Sequence, residues 1–296
     1  LGRKISNFLI PTPMMNIING GAHADNNLDI QEFMIIPGGA SNFSQALEWG
    51  AEVFNSLHEI LKSENLSSGV GDEGGFSPNL ASNKEALILI MQAIQEAKLK
   101  PGKDVFLALD VAANTFYKNE KYIFENGTQI LNTSGIINFY HDLLKNFPII
   151  SLEDPLAEED KDGWEDITNE LSGKVQIVGD DLFVTNPVKL NFGISQNFAN
   201  SIIIKPNQIG TLTETLKTIE IASKNNYSQI ISHRSGETED TYIADLAVGS
   251  GCGQIKTGSL TRSERVAKYN RLLEIENELG EKAVFTGLST LPNYRK

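Results

Sequence analysis

The sequence predicts an α/β fold that forms one large domain, and a closed βα barrel of the TIM type fits both its pattern and its length. From about Val105 onward, short β-branched runs alternate with longer segments of helical periodicity, which is typical of repeated βα units around a parallel sheet. The chain has 296 residues, and such barrels take roughly 200 to 250 residues as a single domain. No proline- or serine-rich linker and no internal repeat divides the chain, so we expect one domain over residues 1–296.

The strand candidates after Val105 share one property, which is that each ends at an acidic or basic residue. They are VFLAL ending at Asp110, IISL ending at Glu153, VQIVG ending at Asp180, SIIIK ending at Lys205, SQIIS ending at His233 beside Arg234, and QIK ending at Lys256. The helix candidates between them, with apolar spacing near 3.6 residues, are 136–147, 164–171, 187–194, 212–223, 242–248 and 265–279.

Before Val105 the pattern differs from a βα repeat. Residues 14–18 and 30–36 look like consecutive strands, and helix candidates follow at 43–61 and 84–99, separated by the glycine-rich string VGDEGG. After the first long strand candidate, residues 117–130 predict a hairpin that turns at Asn126 and Gly127.

The composition excludes several classes of protein. With 40% hydrophobic and 21% charged residues, the chain is an ordinary folded protein and neither disordered nor fibrous. Its formal net charge of -13 argues against a surface for nucleic acid or anionic membranes. No stretch approaches the roughly 20 apolar residues of a membrane span, and residues 1–10 lack the apolar run of a signal peptide. The only cysteine, Cys252, excludes an intrachain disulfide and a zinc–thiolate cluster, which predicts a reducing compartment such as the cytoplasm.

The acidic strand ends predict a metal site. In a βα barrel the carboxyl ends of the strands converge on one face, so Asp110, Glu153 and Asp180 would share one mouth. Like charges in one mouth repel unless a cation holds them, and oxygen ligands without His or Cys favour magnesium over zinc. Any one of these acids alone could equally be a helix N-cap. All three together, followed by basic strand ends, favour the metal.

The basic strand ends complement the acidic ones. Burial and neighbouring positive charge would lower the pKa of Lys205 or Lys256 and make a neutral base available, although a single lysine at a barrel rim is also typical of snorkelling. Arg234 offers a bidentate fork for phosphate or carboxylate, and Ser235 follows it as a small polar residue. The mouth therefore predicts a small, strongly anionic substrate together with magnesium.

Two loops add candidate groups. VGDEGG matches a dinucleotide-binding glycine pattern by spacing alone, but the residues before it are polar and Pro78 interrupts the expected helix, so we reject that interpretation. The loop does place Glu73 where a carboxyl group could act as a general acid or base. The string NIINGGAHADNN carries His23 on a loop that could close over a site. An acidic turn and a solvated loop histidine are the ordinary alternatives.

The chain resembles the enolase family, the phosphopyruvate hydratases, over nearly its whole length. The strings that carry the resemblance are PMMNIINGGAHADNN, DIQEFMI, VGDEGGFSPN, SLEDPL, VGDDLFVTNP, KPNQIGTLTET, SHRSGETED and QIKTGSLTRSERVAKYNRLLEIE, in the family order. The resemblance implies a large barrel with an unusual ββαα start, which agrees with the different pattern before Val105.

The resemblance also implies roles for individual residues. Asp110, Glu153 and Asp180 would be the magnesium ligands. Lys205 would be the general base that removes the C2 proton of 2-phosphoglycerate, and Glu73 the acid that helps expel the C3 hydroxide. The implied substrate-binding residues are His23, Gln31, Glu32, His233, Arg234, Ser235 and Lys256. Enolase-superfamily sites use a Lys or His base with one or two magnesium ions.

The implied activity is the magnesium-dependent dehydration of 2-phosphoglycerate to phosphoenolpyruvate in glycolysis, and its reverse in gluconeogenesis. The family further implies a cytoplasmic homodimer, with a surface or secreted pool that needs no signal peptide. Enolases carry a smaller α+β domain before the barrel, and we expect that domain to be absent from this chain, which begins at Leu1.

Two other functions compete with this one. The first is another enzyme of the same superfamily that abstracts a proton from a different carboxylic acid. The strings SHRSG and QIKTG oppose it, because they match the pocket for the phosphate-bearing substrate. The second is a protein that acts mainly by binding partners such as plasminogen, for which the C-terminal Lys296 would suit lysine-binding modules.

Overall fold

The computed structural model describes residues 7–125, 127–285 and 287–294. Its strands are β1 (Phe8–Ile10), β2 (Thr12–Asn19), β3 (Glu32–Ile36), β4 (Phe106–Asp110), β5 (Tyr117–Lys118), β6 (Lys121–Phe124), β7 (Gln129–Leu131), β8 (Ile149–Glu153), β9 (Gln176–Gly179), β10 (Ser201–Ile204), β11 (Ser228–Ser232), β12 (Gly253–Lys256) and β13 (Ala283–Phe285). Its α-helices are α1 (Phe43–Ser63), α2 (Asn83–Glu96), α3 (Thr133–Asn146), α4 (Lys161–Leu171), α5 (Pro187–Ser195), α6 (Pro206–Ile209), α7 (Leu212–Lys224), α8 (Tyr242–Ser250) and α9 (Ser263–Leu279). Asn126 of the predicted turn and the C-terminal Lys296 lie outside the described residues.

Eight strands close into a barrel in the order β2-β3-β4-β8-β9-β10-β11-β12. Strand β3 runs antiparallel to both of its neighbours, β2 and β4. The other neighbouring pairs in the barrel are parallel. The closed α/β barrel that the sequence predicts is therefore confirmed.

The predicted strand ends agree closely with the structure. Strands β4, β8 and β12 end at the predicted residues, whereas β9, β10 and β11 end one residue earlier. The hairpin predicted over residues 117–130 is present as the antiparallel pair of β6 and β7, and β5 adds a third strand to this sheet. Its first turn lies at Asn119 and Glu120, with φ angles of 51° and 58°. Two successive positive φ angles are what a two-residue hairpin turn requires, and Asn-Glu is a weaker signal for such a turn than Asn-Gly.

The barrel has two apolar layers because successive strand residues point to opposite faces. The inner layer is a small cluster inside the strands: Met14, Met34, Ile36, Ala108, Ile150, Val178, Ile203, Ile230 and Leu291. The larger layer lies between the strands and the surrounding helices, where Phe43, Trp164 and Leu272 are among its buried members. Strands buried on both faces explain why the sequence runs are apolar without alternation. Within the described part of the chain, no helix combines the length and apolar character that crossing a membrane requires.

The start of α1 is capped by a carboxylate from another helix. Asn42 caps the helix locally by accepting from Gln45 N at 2.7 Å. In addition, Glu276 of α9 accepts from Phe43 N at 2.7 Å and from Ser44 N at 3.0 Å. The first N–H groups of a helix lack partners inside the helix and favour negative charge. Glu276 therefore connects the two helices at a point where α1 has no acidic residue of its own in its first turn.

We predict that Glu276→Ala lowers the free energy of unfolding by about 1–2 kcal/mol, because it removes a charged cap from exposed donors. Urea unfolding measures the change. Glu278→Ala is the matched control, since Glu278 lies in the same helix with a 64% exposed side chain. Its one ion pair within the described part of the chain is with Arg271, at 3.2 Å. Equal losses in the two variants would contradict the interhelical cap.

Candidate active site

One cavity at the barrel mouth collects nearly all of the predicted site residues. Its volume is about 180 Å³. The predicted residues that line it are His23, Gln31, Glu32, Glu73, Asp110, Asp180, Lys205, His233, Arg234, Ser235 and Lys256. Glu153 lies beneath them and is fully buried. The structure therefore brings the site residues predicted from the sequence together at one place.

The strand period explains why these side chains converge. Asp110, Asp180 and Lys205 each stand two residues after a member of the inner apolar layer, namely Ala108, Val178 and Ile203. Residues two apart along a strand share a face. The residue two positions after each member of the inner layer therefore also points into the barrel, just above that layer. Hydrophobic side chains thus fill the interior and charged ones fill its mouth.

The reversed strand β3 brings Gln31 and Glu32 to the same mouth. Glu32 stands at the beginning of β3 and pairs in register with Asp110 at the end of β4. In an antiparallel pair the start of one strand lies beside the end of the other. Gln31 Nε2 donates to Asp110 Oδ2 at 3.4 Å. These residues therefore belong to the site although they do not follow a strand.

Lys256 is surrounded by carboxylates. Its Nζ lies 2.8 Å from Asp110 Oδ2, 2.9 Å from Glu153 Oε2 and 3.1 Å from Glu32 Oε1, and its side chain is 2% exposed. Burial alone would lower the pKa of this ammonium, but the carboxylates outweigh burial and raise the pKa well above its ordinary value. The surrounding carboxylates thus keep Lys256 positively charged.

Lys205 forms a close ion pair with Asp180. Burial works to lower the pKa of Lys205, but the Asp180 carboxylate outweighs it and raises that pKa. The sequence predicts that burial and neighbouring positive charge, including a metal, lower the pKa of Lys205 or Lys256. The protein groups by themselves raise the pKa of both lysines. The reason is the excess of buried carboxylates around two ammonium groups, which favours the charged form of each lysine.

In the same cavity, Glu73 lies close to two histidines. Glu73 Oε1 lies 3.3 Å from His233 Nε2 and 3.5 Å from His23 Nδ1. Burial opposes ionisation of Glu73, yet His233 and His23 outweigh it and hold the pKa of Glu73 well below its usual range. Burial first, and then the neighbouring Glu73 charge, raise the pKa of Glu32. Of the two carboxyl groups, Glu32 therefore keeps a proton more readily than Glu73.

Residues 7–293 match the model of the family described as enolase, C-terminal TIM barrel domain. The chain belongs to this family. Enolase-superfamily sites work with one or two divalent ions, and this enolase barrel has acidic groups close enough to share one. The groups whose ligand atoms lie within 4.8 Å of one another, among the described residues, are His23, Glu32 and Glu73, and Asp154, Asp180 and Asp181.

The oxygens at the mouth of the enolase barrel fit a hard cation. Glu153 Oε1 and Glu32 Oε2 are buried and accept no hydrogen bond from the described residues. A buried carboxylate oxygen without a donor is costly, and a cation offsets that cost. Asp110, Glu153 and Asp180 would supply only oxygen ligands, which suits magnesium. Of these three, Asp180 is also part of the acidic group that the structure brings together.

Asp154 and Asp181, which the sequence interpretation did not select, also line the cavity. Asp154 Oδ1 accepts from Asp180 N at 3.0 Å, and Asp154 Oδ2 accepts from Asp181 N at 2.7 Å. Asp154 thereby connects the end of β8 to the turn that presents Asp180. The available signal was a second acid directly after a selected one, in the strings LEDP and GDDL.

A strained turn connects Asp180 to Lys205. Val184 and Thr185 have φ angles of 44° and 57°, in the left-handed region that β-branched residues avoid. Thr185 Oγ1 accepts from Lys205 N at 2.8 Å. Thr218 Oγ1 donates to Thr185 O at 2.8 Å and so fixes the turn against α7. These hydrogen bonds maintain the strained backbone of the turn. The turn positions both members of the ion pair, Asp180 and Lys205.

Proposed function

We propose that this enolase barrel carries out the magnesium-dependent dehydration of 2-phosphoglycerate to phosphoenolpyruvate. The observation that supports it most directly is that Lys205, Glu73 and Arg234 line the same cavity. They supply a candidate base, a candidate acid and a candidate phosphate-binding group. The catalytic, metal and substrate roles that follow belong to this proposal.

The first step is removal of the C2 proton by Lys205. Lys205 must be neutral to accept the proton, and in the ligand-free protein Asp180 keeps it charged. Magnesium bound by Asp110, Glu153 and Asp180 would engage these carboxylates and neutralise charge that develops on the substrate carboxylate. A cation held by Asp180 would weaken the influence that keeps Lys205 charged, and burial favours the neutral amine that can accept the proton.

Lys256 supports the same step with a fixed positive charge. Removing a proton beside a carboxylate places two negative charges on the former carboxylate oxygens. Lys256 is a buried cation in the cavity wall, and its position is fixed by Asp110, Glu153 and Glu32. A preorganised charge of this kind stabilises the transition state without reorganisation.

The second step is departure of the C3 hydroxide, which Glu73 assists. Asn16 Nδ2 donates to Glu73 Oε2 at 3.1 Å, so the carboxyl group is held between Asn16 and the two histidines. Glu73 must be protonated or share a proton at this point. Glu32, whose pKa burial and Glu73 raise, belongs to the same close group and can share that proton.

The substrate phosphate would bind at the edge of the cavity. Arg234 is partly exposed there, and its Nη1 contacts only Asn207 Oδ1 at 3.4 Å among the side chains of the described residues. A guanidinium that is weakly engaged in the protein is free to form two parallel bonds with a phosphate. Ser235 lies beside it on the exposed side. A local basic edge thus allows an acidic protein to bind a small dianion.

The test is a direct assay on the purified protein. With magnesium and 2-phosphoglycerate, phosphoenolpyruvate should appear by absorbance, and a chelator should abolish the reaction. A panel of other carboxylic acids, followed by proton exchange at the carbon next to the carboxylate, tests the rest of the superfamily. Activity on another carboxylic acid, with none on 2-phosphoglycerate, would rule out 2-phosphoglycerate as the substrate. It would still support proton abstraction next to a carboxylate, the chemistry of the superfamily.

A further inference from the structure

Arg265 is a buried arginine on α9 that contacts several parts of the site without lining the cavity. Its side chain is 1% exposed. Nη1 lies 2.7 Å from His233 Nδ1 and donates to Arg234 O at 2.6 Å. Nη2 donates to Ser235 O at 2.6 Å and to Asp72 O at 3.1 Å. All four hydrogens on the two terminal nitrogens therefore have an acceptor.

The first contact determines which nitrogen of His233 carries the proton. An arginine is always charged and can only donate, so His233 Nδ1 has to accept. In the neutral ring the proton is then on Nε2, which lies 3.3 Å from Glu73 Oε1. Burial lowers the pKa of His233, Glu73 opposes this effect, and the charges of Arg265 and Lys256 add to the lowering, so that the neutral ring is favoured. The hydrogen on Nε2 therefore lies on the side of the ring that faces the Glu73 carboxyl group, at a distance of 3.3 Å but without the geometry of a hydrogen bond.

The other contacts fix the two loops that flank this pair. The carbonyl groups of Arg234 and Ser235 both point at Arg265. Because the N–H and C=O of a trans peptide point in opposite directions, the N–H groups of Ser235 and Gly236 point away from it. The bond to Asp72 O holds the residue just before Glu73. One guanidinium therefore sets the relative position of the loop after β11 and the loop that carries Glu73.

Gly258 shows how closely the arginine stem packs here. A Cβ on Gly258 would lie 2.8 Å from Arg265 Cδ and 2.9 Å from Glu73 O, and its φ of +83° already requires glycine. The absence of a side chain at this position lets the arginine pass beneath the Glu73 loop.

We propose that Arg265 is a positioning residue, which holds His233 as the Nε2–H tautomer against Glu73 and fixes both loops through their carbonyl groups. The role in catalysis rests on the proposed function, because it requires Glu73 to be the acid. The tautomer and the loop geometry do not depend on that function.

The tautomer can be read from nitrogen NMR of protein labelled with ¹⁵N-histidine. The chain has 4 histidines, and a His233→Gln variant assigns the His233 signals. We expect the unmodified chain to show a neutral His233 protonated on Nε2 and unprotonated on Nδ1. We expect Arg265→Met and Arg265→Lys to show a mixture of tautomers, since neither offers a planar fork that serves the imidazole and the carbonyl groups together.

Arg271→Met is the matched control. Arg271 lies in the same helix and pairs with the exposed-side acids Asp245, Glu274 and Glu278, so its loss should leave the tautomer unchanged. Arg265→Lys keeps the charge and is the variant that decides the outcome where Arg265→Met does not fold. An unmodified chain with His233 protonated on Nδ1, or a folded Arg265→Lys with the unmodified tautomer, would overturn the proposal.

Kinetics separate positioning from a purely structural role. In an active form of the protein, we expect Arg265→Lys to lower kcat by about 10- to 100-fold, as loss of an orienting partner does in other sites. Circular dichroism should show an intact fold. Mixed tautomers with an unchanged kcat would overturn the catalytic part. If the unmodified protein does not dehydrate 2-phosphoglycerate, the proposed function fails, and the tautomer measurement still tests the arginine because it needs no substrate.

Discussion

Lys205→Ala is expected to remove exchange of the C2 proton of 2-phosphoglycerate while leaving magnesium binding intact. A general base contributes about 10²- to 10⁴-fold to a rate, and alanine has no group to replace the amine. Lys205 forms an ion pair with Asp180, so its ammonium competes with any cation for that carboxylate. Its removal should leave the magnesium affinity unchanged or increase it.

Exchange is followed by NMR in deuterated water, and magnesium binding by calorimetry, on the same preparations. Lys189→Ala is the control, since Lys189 lies on α5 with a 48% exposed side chain and pairs with Glu158 at 3.7 Å. That variant should exchange at the rate of the unmodified protein. Normal exchange in Lys205→Ala would remove Lys205 as the base, and lost magnesium binding would show that its role is to build the metal site.

The barrel was predictable because its pattern is local. Each of the six barrel strands after Val105 is a short apolar run that ends at an acidic or basic residue or one residue before it, and each helix between these strands keeps its own apolar period. The same period of two that buries Ala108, Val178 and Ile203 directs the residue two positions later into the mouth. The strand ends could therefore be located to within one residue.

Other site residues could not be found by that rule. Glu32 begins the one reversed barrel strand, so it reaches the mouth from the start of a strand and was identified only through the family resemblance. Arg265 acts from a helix, through contacts with backbone carbonyl groups that leave no pattern in the sequence. Glu276 caps a helix more than two hundred residues away. These are contacts between distant segments, and no local spacing encodes them.

The sequence also could not show whether the pKa values of the two lysines are raised or lowered in the folded protein. Burial and an approaching cation lower the pKa of an amine, and neighbouring carboxylates raise it, so the outcome depends on how many of each are in contact. The sequence identifies the groups without their distances. In the structure Lys256 contacts Asp110, Glu153 and Glu32, and the carboxylates decide the direction.

Those contacts predict the largest effect on stability. Lys256→Met should lower the free energy of unfolding at pH 7, without magnesium, by about 3–5 kcal/mol, because removing one partner of a buried ion pair leaves uncompensated buried charge. Here three carboxylates lose their cation, and each of them is at most 5% exposed in its side chain. Methionine is of similar length and fills the space, so the loss reflects charge more than a cavity.

Urea unfolding in the presence of a chelator measures this loss, and Lys217→Met serves as the control. Lys217 has a 58% exposed side chain and, among the residues that the structure describes, forms an ion pair only with Glu220, at 3.3 Å. Its replacement should therefore change stability by less than about 1 kcal/mol. Magnesium should stabilise Lys256→Met more than the unmodified protein, since the freed carboxylates bind a cation more readily. If the two lysine variants unfold alike, or magnesium stabilises both equally, Lys256 does not compensate the buried carboxylates. A stability loss confined to Lys256→Met, with exchange lost in Lys205→Ala, would separate the lysine that maintains the charge balance of the site from the lysine that takes the proton.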